Sequence, residues 1–152
     1  MAQNDRKKTY PNRVRFSFAG SVENIRLFAH LGRKLVEQIW PKEEEFAFEV
    51  EMCLVEALSN VFFHAHLEEA WEIIFCLCWN ANELAIKVYD RGPGFELEKA
   101  LKMTEDDLLL EHGRGVKIMA ALVDQIFYLR GRQLNCLYLR KCVHKKPETV
   151  RE

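Results

Sequence analysis

Polar and apolar residues alternate over Arg13-Val-Arg-Phe-Ser-Phe18, the period of a strand with one buried face. Ser21 then stands where a helix cap belongs, and the pattern predicts a helix from there to about Ile39. Pro41 followed by Glu43, Glu44 and Glu45 predicts a second helix start. Proline suits a first turn, and the acids complement the positive end of the helix dipole. No breaker follows until after His66, so this helix is long. Trp71 to Trp79 and Glu83 to Tyr89 read as a hairpin joined by Asn80-Ala-Asn82. Asp90-Arg-Gly-Pro-Gly94 must be a loop, and residues 95–112 are polar and acidic apart from Leu108-Leu-Leu110. Gly113-Arg-Gly115 opens a helix from Val116 to about Val123, and strands near Gln125–Leu129 and Leu134–Cys142 flank Arg130-Gly-Arg132. The order β-α-α-β-β-loop-α-β-β predicts an α+β chain. Its form is a two-layer α/β sandwich, with helices on one face of a mixed, mainly antiparallel sheet. Strands and helices do not alternate, which excludes a doubly wound fold. The expected organisation is a flexible arm over 1–12, one domain over 13–143 and a tail over 144–152.

Composition narrows the classes. With 152 residues, 49% hydrophobic and a net charge of -1, the chain can hold one core unaided and is no disordered tract. Its longest apolar run, Ile73 to Trp79, is too short to cross a bilayer. The first eight residues lack the apolar centre of a signal peptide, so a cytoplasmic location and no membrane partner are expected. The five cysteines, at 53, 76, 78, 136 and 142, have no framework spacing and read as free thiols. Cys76 and Cys78 share one strand face and read as core thiols rather than a metal pair. Ten Glu against one Lys between Glu37 and Glu72, and nine basic against four acidic residues from Glu111 onward, polarise the surface. The chain is not basic overall and has no stacking motif, so no direct nucleic-acid partner is expected. Trp40, Trp71, Trp79 and the ten Phe read as core.

Three elements carry candidate chemistry. In Glu56-Ala-Leu-Ser-Asn60-Val-Phe-Phe-His64, a spacing of four sets a carboxylate, an amide and an imidazole along one helix stripe. Such a set can supply a base, a hard oxygen for Mg²⁺ and a phosphate contact. Asp90-x-Gly92-x-Gly94 follows a strand directly. Its Asp can accept from an exocyclic amine, while its glycines allow close backbone approach. Gly113-Arg114-Gly115 opens a helix, where free N–H groups and the dipole favour an anion. Singly, each fits a plain solvated helix face, turn or helix start; together, in this order and these contexts, they are specific.

The set resembles the N, G1 and G2 boxes of the GHKL ATPases, the superfamily of gyrase, chaperone, histidine-kinase and mismatch-repair ATP-binding domains. Over residues from about 14 to 141 the chain resembles the bacterial anti-sigma factor serine-protein kinases. Glu111-His-Gly-Arg-Gly-Val-Lys-Ile-Met119 followed by Asp124 is typical of that group. The resemblance implies a Bergerat-type ATP-binding fold with ATP and Mg²⁺ as cofactors. It makes Glu56 the general base, Asn60 the Mg²⁺ ligand and His64 a neighbour of the phosphates. Asp90 becomes the acceptor of the adenine amine, with Gly92 and Gly94 closing on the base. Gly113, Arg114 and Gly115 then line the phosphates, and residues 95–112 form the lid. Two departures stand out. The family's Gly-Thr pair before its last strand, whose Thr helps hold adenine, is missing from Arg130-Gly-Arg-Gln-Leu-Asn135. The lid also lacks the proline-containing stretch of relatives.

The function implied is an ATP-dependent serine/threonine protein kinase acting as an anti-sigma factor. It would bind a sigma factor, phosphorylate an anti-sigma antagonist protein and form a homodimer. Two rivals remain open at this point: an ATP-holding switch that works by binding alone, and a nucleotide-free interaction domain on the same scaffold.

Overall fold

The computed structural model describes residues 9–64, 72–102 and 114–144. Strand β1 (Asn12–Ala19) leads into helices α1 (Val22–Ile39) and α2 (Glu44–His64). The hairpin β2 (Glu72–Trp79) and β3 (Glu83–Asp90) follows. A short helix α3 (Leu97–Leu101), helix α4 (Arg114–Leu122) and strands β4 (Gln125–Leu129) and β5 (Asn135–Cys142) complete the described chain.

Local chemistry explains most boundaries. Ser21 caps α1 by accepting from Asn24 N–H at 3.0 Å, and Asn24 donates from its side chain to Ala19 O at 2.8 Å. Helix α2 begins at Glu44, three residues after Pro41, which lies in the intervening turn rather than the first helical turn. The acids Glu44 and Glu45 occupy that first turn, where the dipole favours them. Asn80 closes the β2–β3 turn by accepting from the N–H groups of Asn82 at 2.9 Å and Glu83 at 3.0 Å.

The five strands lie in the order β1-β2-β3-β5-β4, and every neighbouring pair is antiparallel. The α+β sandwich expected from the sequence is therefore present, but its sheet is not mixed. Strands β3 and β4 run the same way, yet β5 lies between them and pairs with both. That insertion removes the one parallel contact the crossover could have made.

Helices α1 and α2 cover one face, where Phe18, Ile25, Val36, Val50, Leu54, Leu58, Phe75, Leu77 and Leu139 are buried. Gly32 lets α1 come close to α2, since a Cβ there would lie 2.6 Å from Leu54 Cδ1. Cys76 and Cys78 are buried on the opposite face, in a satellite cluster with Ala85 that Tyr10, Tyr89 and Tyr138 cover. They are thus not part of the main core. Tyr10, within the expected arm, lies 3.1 Å from the Tyr138 hydroxyl, and Asn12 already belongs to β1. Among the described residues, no helix is long and apolar enough to cross a membrane.

Candidate active site

The long α2 carries Glu56 and Asn60 one turn apart, both half-buried. The start of α4 packs against this stripe. A Cβ added to Gly115 would lie 2.6 Å from Glu56 Oε2 and 3.6 Å from Asn60 Oδ1. The helix N-terminus, the carboxylate and the amide oxygen therefore share one small space, which a larger residue at 115 would fill. Arg114, the first residue of α4, is exposed. His64 closes α2, but its side chain, Gly113 and the lid portion 103–112 with Leu108-Leu-Leu110 lie outside the described residues, as does Trp71. Among the described residues no group of three His, Cys, Asp or Glu could hold a metal. The donors that are present, one carboxylate and one amide oxygen, fit Mg²⁺, which takes few protein oxygens and keeps waters and phosphates.

Asp90, the last residue of β3, forms the second centre. Its Oδ1 accepts from Gly92 N–H and from Asn135 Nδ2, both at 3.0 Å, and its Oδ2 accepts from the Tyr128 hydroxyl at 3.0 Å. Asn135 sits directly opposite Asp90 in the β3–β5 register and is buried. Its amide nitrogen also donates to Gly92 O at 3.0 Å. Both partners are acceptors, so both amide hydrogens are engaged. Gly94 adopts φ 78°, a left-handed conformation open to glycine, and a Cβ there would meet Tyr128 Oη at 3.2 Å and Arg130 Nε at 3.4 Å. The loop thus folds directly onto Tyr128. Burial, reinforced by the Asp90 carboxylate, pushes the Tyr128 phenol well above its ordinary value, so it remains a protonated donor near neutrality.

Beside this centre an open groove runs between α3 and β4, with Phe95, Leu97, Leu101, Ile126 and Tyr128 among its walls. Phe95 packs on Tyr128 at 4.3 Å between ring centroids.

Tyr128 and Asn135 were not among the candidates read from the sequence. Alternation in β4 and β5 places both on the helix-covered face with Ile126, Leu137 and Leu139, so a polar residue there was a usable signal. Their meeting at Asp90 depends on the strand order.

A third polar contact braces the site from below. Lys141, buried on β5, pairs with Glu49 of α2 and donates to Leu122 O at the end of α4. It ties together the two helices that carry Glu56 and Gly115.

No curated protein shows significant similarity to the chain. The sequence pattern of the histidine kinase-like ATPase domain matches residues 18–141, nearly the whole described fold from the end of β1 to the end of β5. A helix-borne carboxylate and amide, a glycine-opened helix against them and an aspartate ending a central strand all fall inside that span, and the chain belongs to the histidine kinase-like ATPase domain family, the ATP-binding GHKL type.

Proposed function

We propose that this chain is an ATP-dependent serine/threonine protein kinase that acts as an anti-sigma factor. The observation that carries the catalytic part is the contact of Gly115 with Glu56 and Asn60. It brings the dipole end of a helix, a base and a hard oxygen donor to one point, which is what phosphoryl transfer needs from a protein.

In this reading Asp90 accepts from the adenine amine, and the start of α4, with Gly113, Arg114 and Gly115, lines the triphosphate. Asn60 holds Mg²⁺, which when bound neutralises charge on the phosphates. His64 lies near those phosphates. Glu56 takes the proton of a serine or threonine hydroxyl as that oxygen bonds to the γ-phosphorus. The bond to the β–γ bridging oxygen breaks, and ADP leaves with the electron pair. The hydroxyl belongs to an anti-sigma antagonist protein; a sigma factor is the second partner, and the active species is a homodimer. These partner assignments rest on the resemblance described above.

The test begins with calorimetric titration of the protein with ATP, with and without Mg²⁺. Mg²⁺-dependent binding that Asp90→Asn and Asn60→Ala both weaken is the expected result. Glu56→Ala should then keep binding and lose phosphotransfer. Absence of binding by folded wild-type protein would overturn the reading.

One observation favours a second reading, an ATP-holding switch without transfer. The segment before β5 has no threonine, and Asn135 stands at its end. An unchanged regulatory effect in Glu56→Ala would select the switch.

A further inference from the structure

Three hydrogen bonds end on the Asp90 carboxylate, two on Oδ1 and one on Oδ2. A carboxylate oxygen offers about two acceptor sites, so Oδ1 is saturated and Oδ2 keeps one open. Tyr128 decides where that open site points. The carboxylate oxygen can only accept, so the single phenol proton of Tyr128 is committed to Asp90. Asn135 pins the other oxygen while tying it to Gly92 O. The carboxylate therefore cannot rotate without breaking bonds to β4, to β5 and to its own loop.

We propose that Tyr128 and Asn135 are the base-selecting positioning residues of this chain, which aim the one open site of Asp90 Oδ2 at the 6-amino group of a purine nucleotide. The inference rests on the nucleotide-binding reading above and deepens it. A fixed carboxylate acceptor rewards an N–H donor and is left facing an oxygen when the purine is 6-oxo. A carboxylate free to turn would present a different oxygen or a bound water and lose that discrimination. Asn135 supplies the bracing on the β5 side in a segment that has no threonine.

The test compares Mg-ATP with Mg-ITP, whose base carries oxygen in place of the 6-amine, by calorimetry on wild type, Tyr128→Phe and Asn135→Ala. Thermal melting is recorded beside each titration. Tyr128→Phe keeps the ring that packs on Phe95 and removes only the hydroxyl. The wild type should prefer ATP by about tenfold or more, a difference of roughly 1.4 kcal/mol. In Tyr128→Phe that preference should shrink by about tenfold, with ITP affinity held within about twofold. Asn135 is buried, so Asn135→Ala can lose the fold; Tyr128→Phe then carries the test alone. An unchanged ATP-to-ITP ratio, or equal loss of both nucleotides, overturns the inference while leaving nucleotide binding intact. Folded wild-type protein that binds neither nucleotide overturns the nucleotide reading and this one with it.

Discussion

Gly115 lies against Glu56 so closely that a Cβ at position 115 would come within 2.6 Å of Oε2. No real contact tolerates that distance, so the absence of a side chain on α4 determines where the Glu56 carboxylate can stand. The touching atom is the end of a flexible side chain, which yields more easily than backbone would.

Gly115→Ala should therefore separate stability from activity. Alanine in a helix is favoured over glycine by up to about 1 kcal/mol, so the melting temperature should hold or rise. The displaced carboxylate should lower phosphotransfer by about tenfold or more, since a shift of about an ångström in a catalytic group can cost up to about 10²-fold. A melting curve and a phosphotransfer assay on the same preparation check both halves.

Gly32→Ala tests the other close approach, and here stability should fall. The added Cβ would meet Leu54 Cδ1 at 2.6 Å, with Leu77 Cδ1 at 3.6 Å and Phe75 behind them. Leu54 is fully buried and cannot swing out into solvent. Overpacking of this kind costs about 1–3 kcal/mol, and the helical preference of alanine returns up to about 1. Urea denaturation should show a net loss of about 1 kcal/mol, and Leu54→Val in the same chain should recover part of it.

Lys141→Met should destabilise the fold more. Methionine replaces the aliphatic stem but leaves Glu49 and Leu122 O without their cation. Breaking a buried pair from one side costs about 3–5 kcal/mol, and Glu49 is 23% exposed, so water recovers some of it. Denaturation should show a loss of about 2 kcal/mol, and Lys141→Met with Glu49→Gln should lose less than Lys141→Met alone.

Stability should also decline in mild alkali. Burial pushes the Cys53 thiol up from its ordinary 9.0 to about 12. An acid whose pKa is raised on folding binds its proton more tightly in the native state. Its contribution is complete below the unfolded pKa and is lost as pH rises from about 9 towards 12. Melting temperatures should therefore hold between neutral pH and about 9 and fall as pH rises beyond it, and Cys53→Ala should flatten that slope. The Cys53 thiol should also resist thiol reagents in the native protein, because burial keeps it protonated.

Much of the molecule was legible along the chain because its elements are set by nearest neighbours. Alternation marked β1, Ser21 marked the start of α1, and the acids after Pro41 announced α2 to within three residues. Short α3 was missed, since five residues are too few to show a helical period. The Glu56–Asn60 stripe was visible for the same local reason: residues four apart share a helix face wherever the helix goes.

Sequence alone determined the order of the strands and long helices and the faces of α2 and the strands, since these follow from backbone period and side-chain type. Tertiary structure decided which of them meet. Strand β5 had to insert between β3 and β4 before Asn135 could face Asp90 and Tyr128 could reach it from one strand farther out. Helix α4 had to cross α2 at Gly115 before a helix end could lie on Glu56. Those contacts join residues far apart in the chain, and no local periodicity encodes them. They form as the apolar faces of sheet and helices are buried together, and the polar groups carried in at Asp90 find partners there.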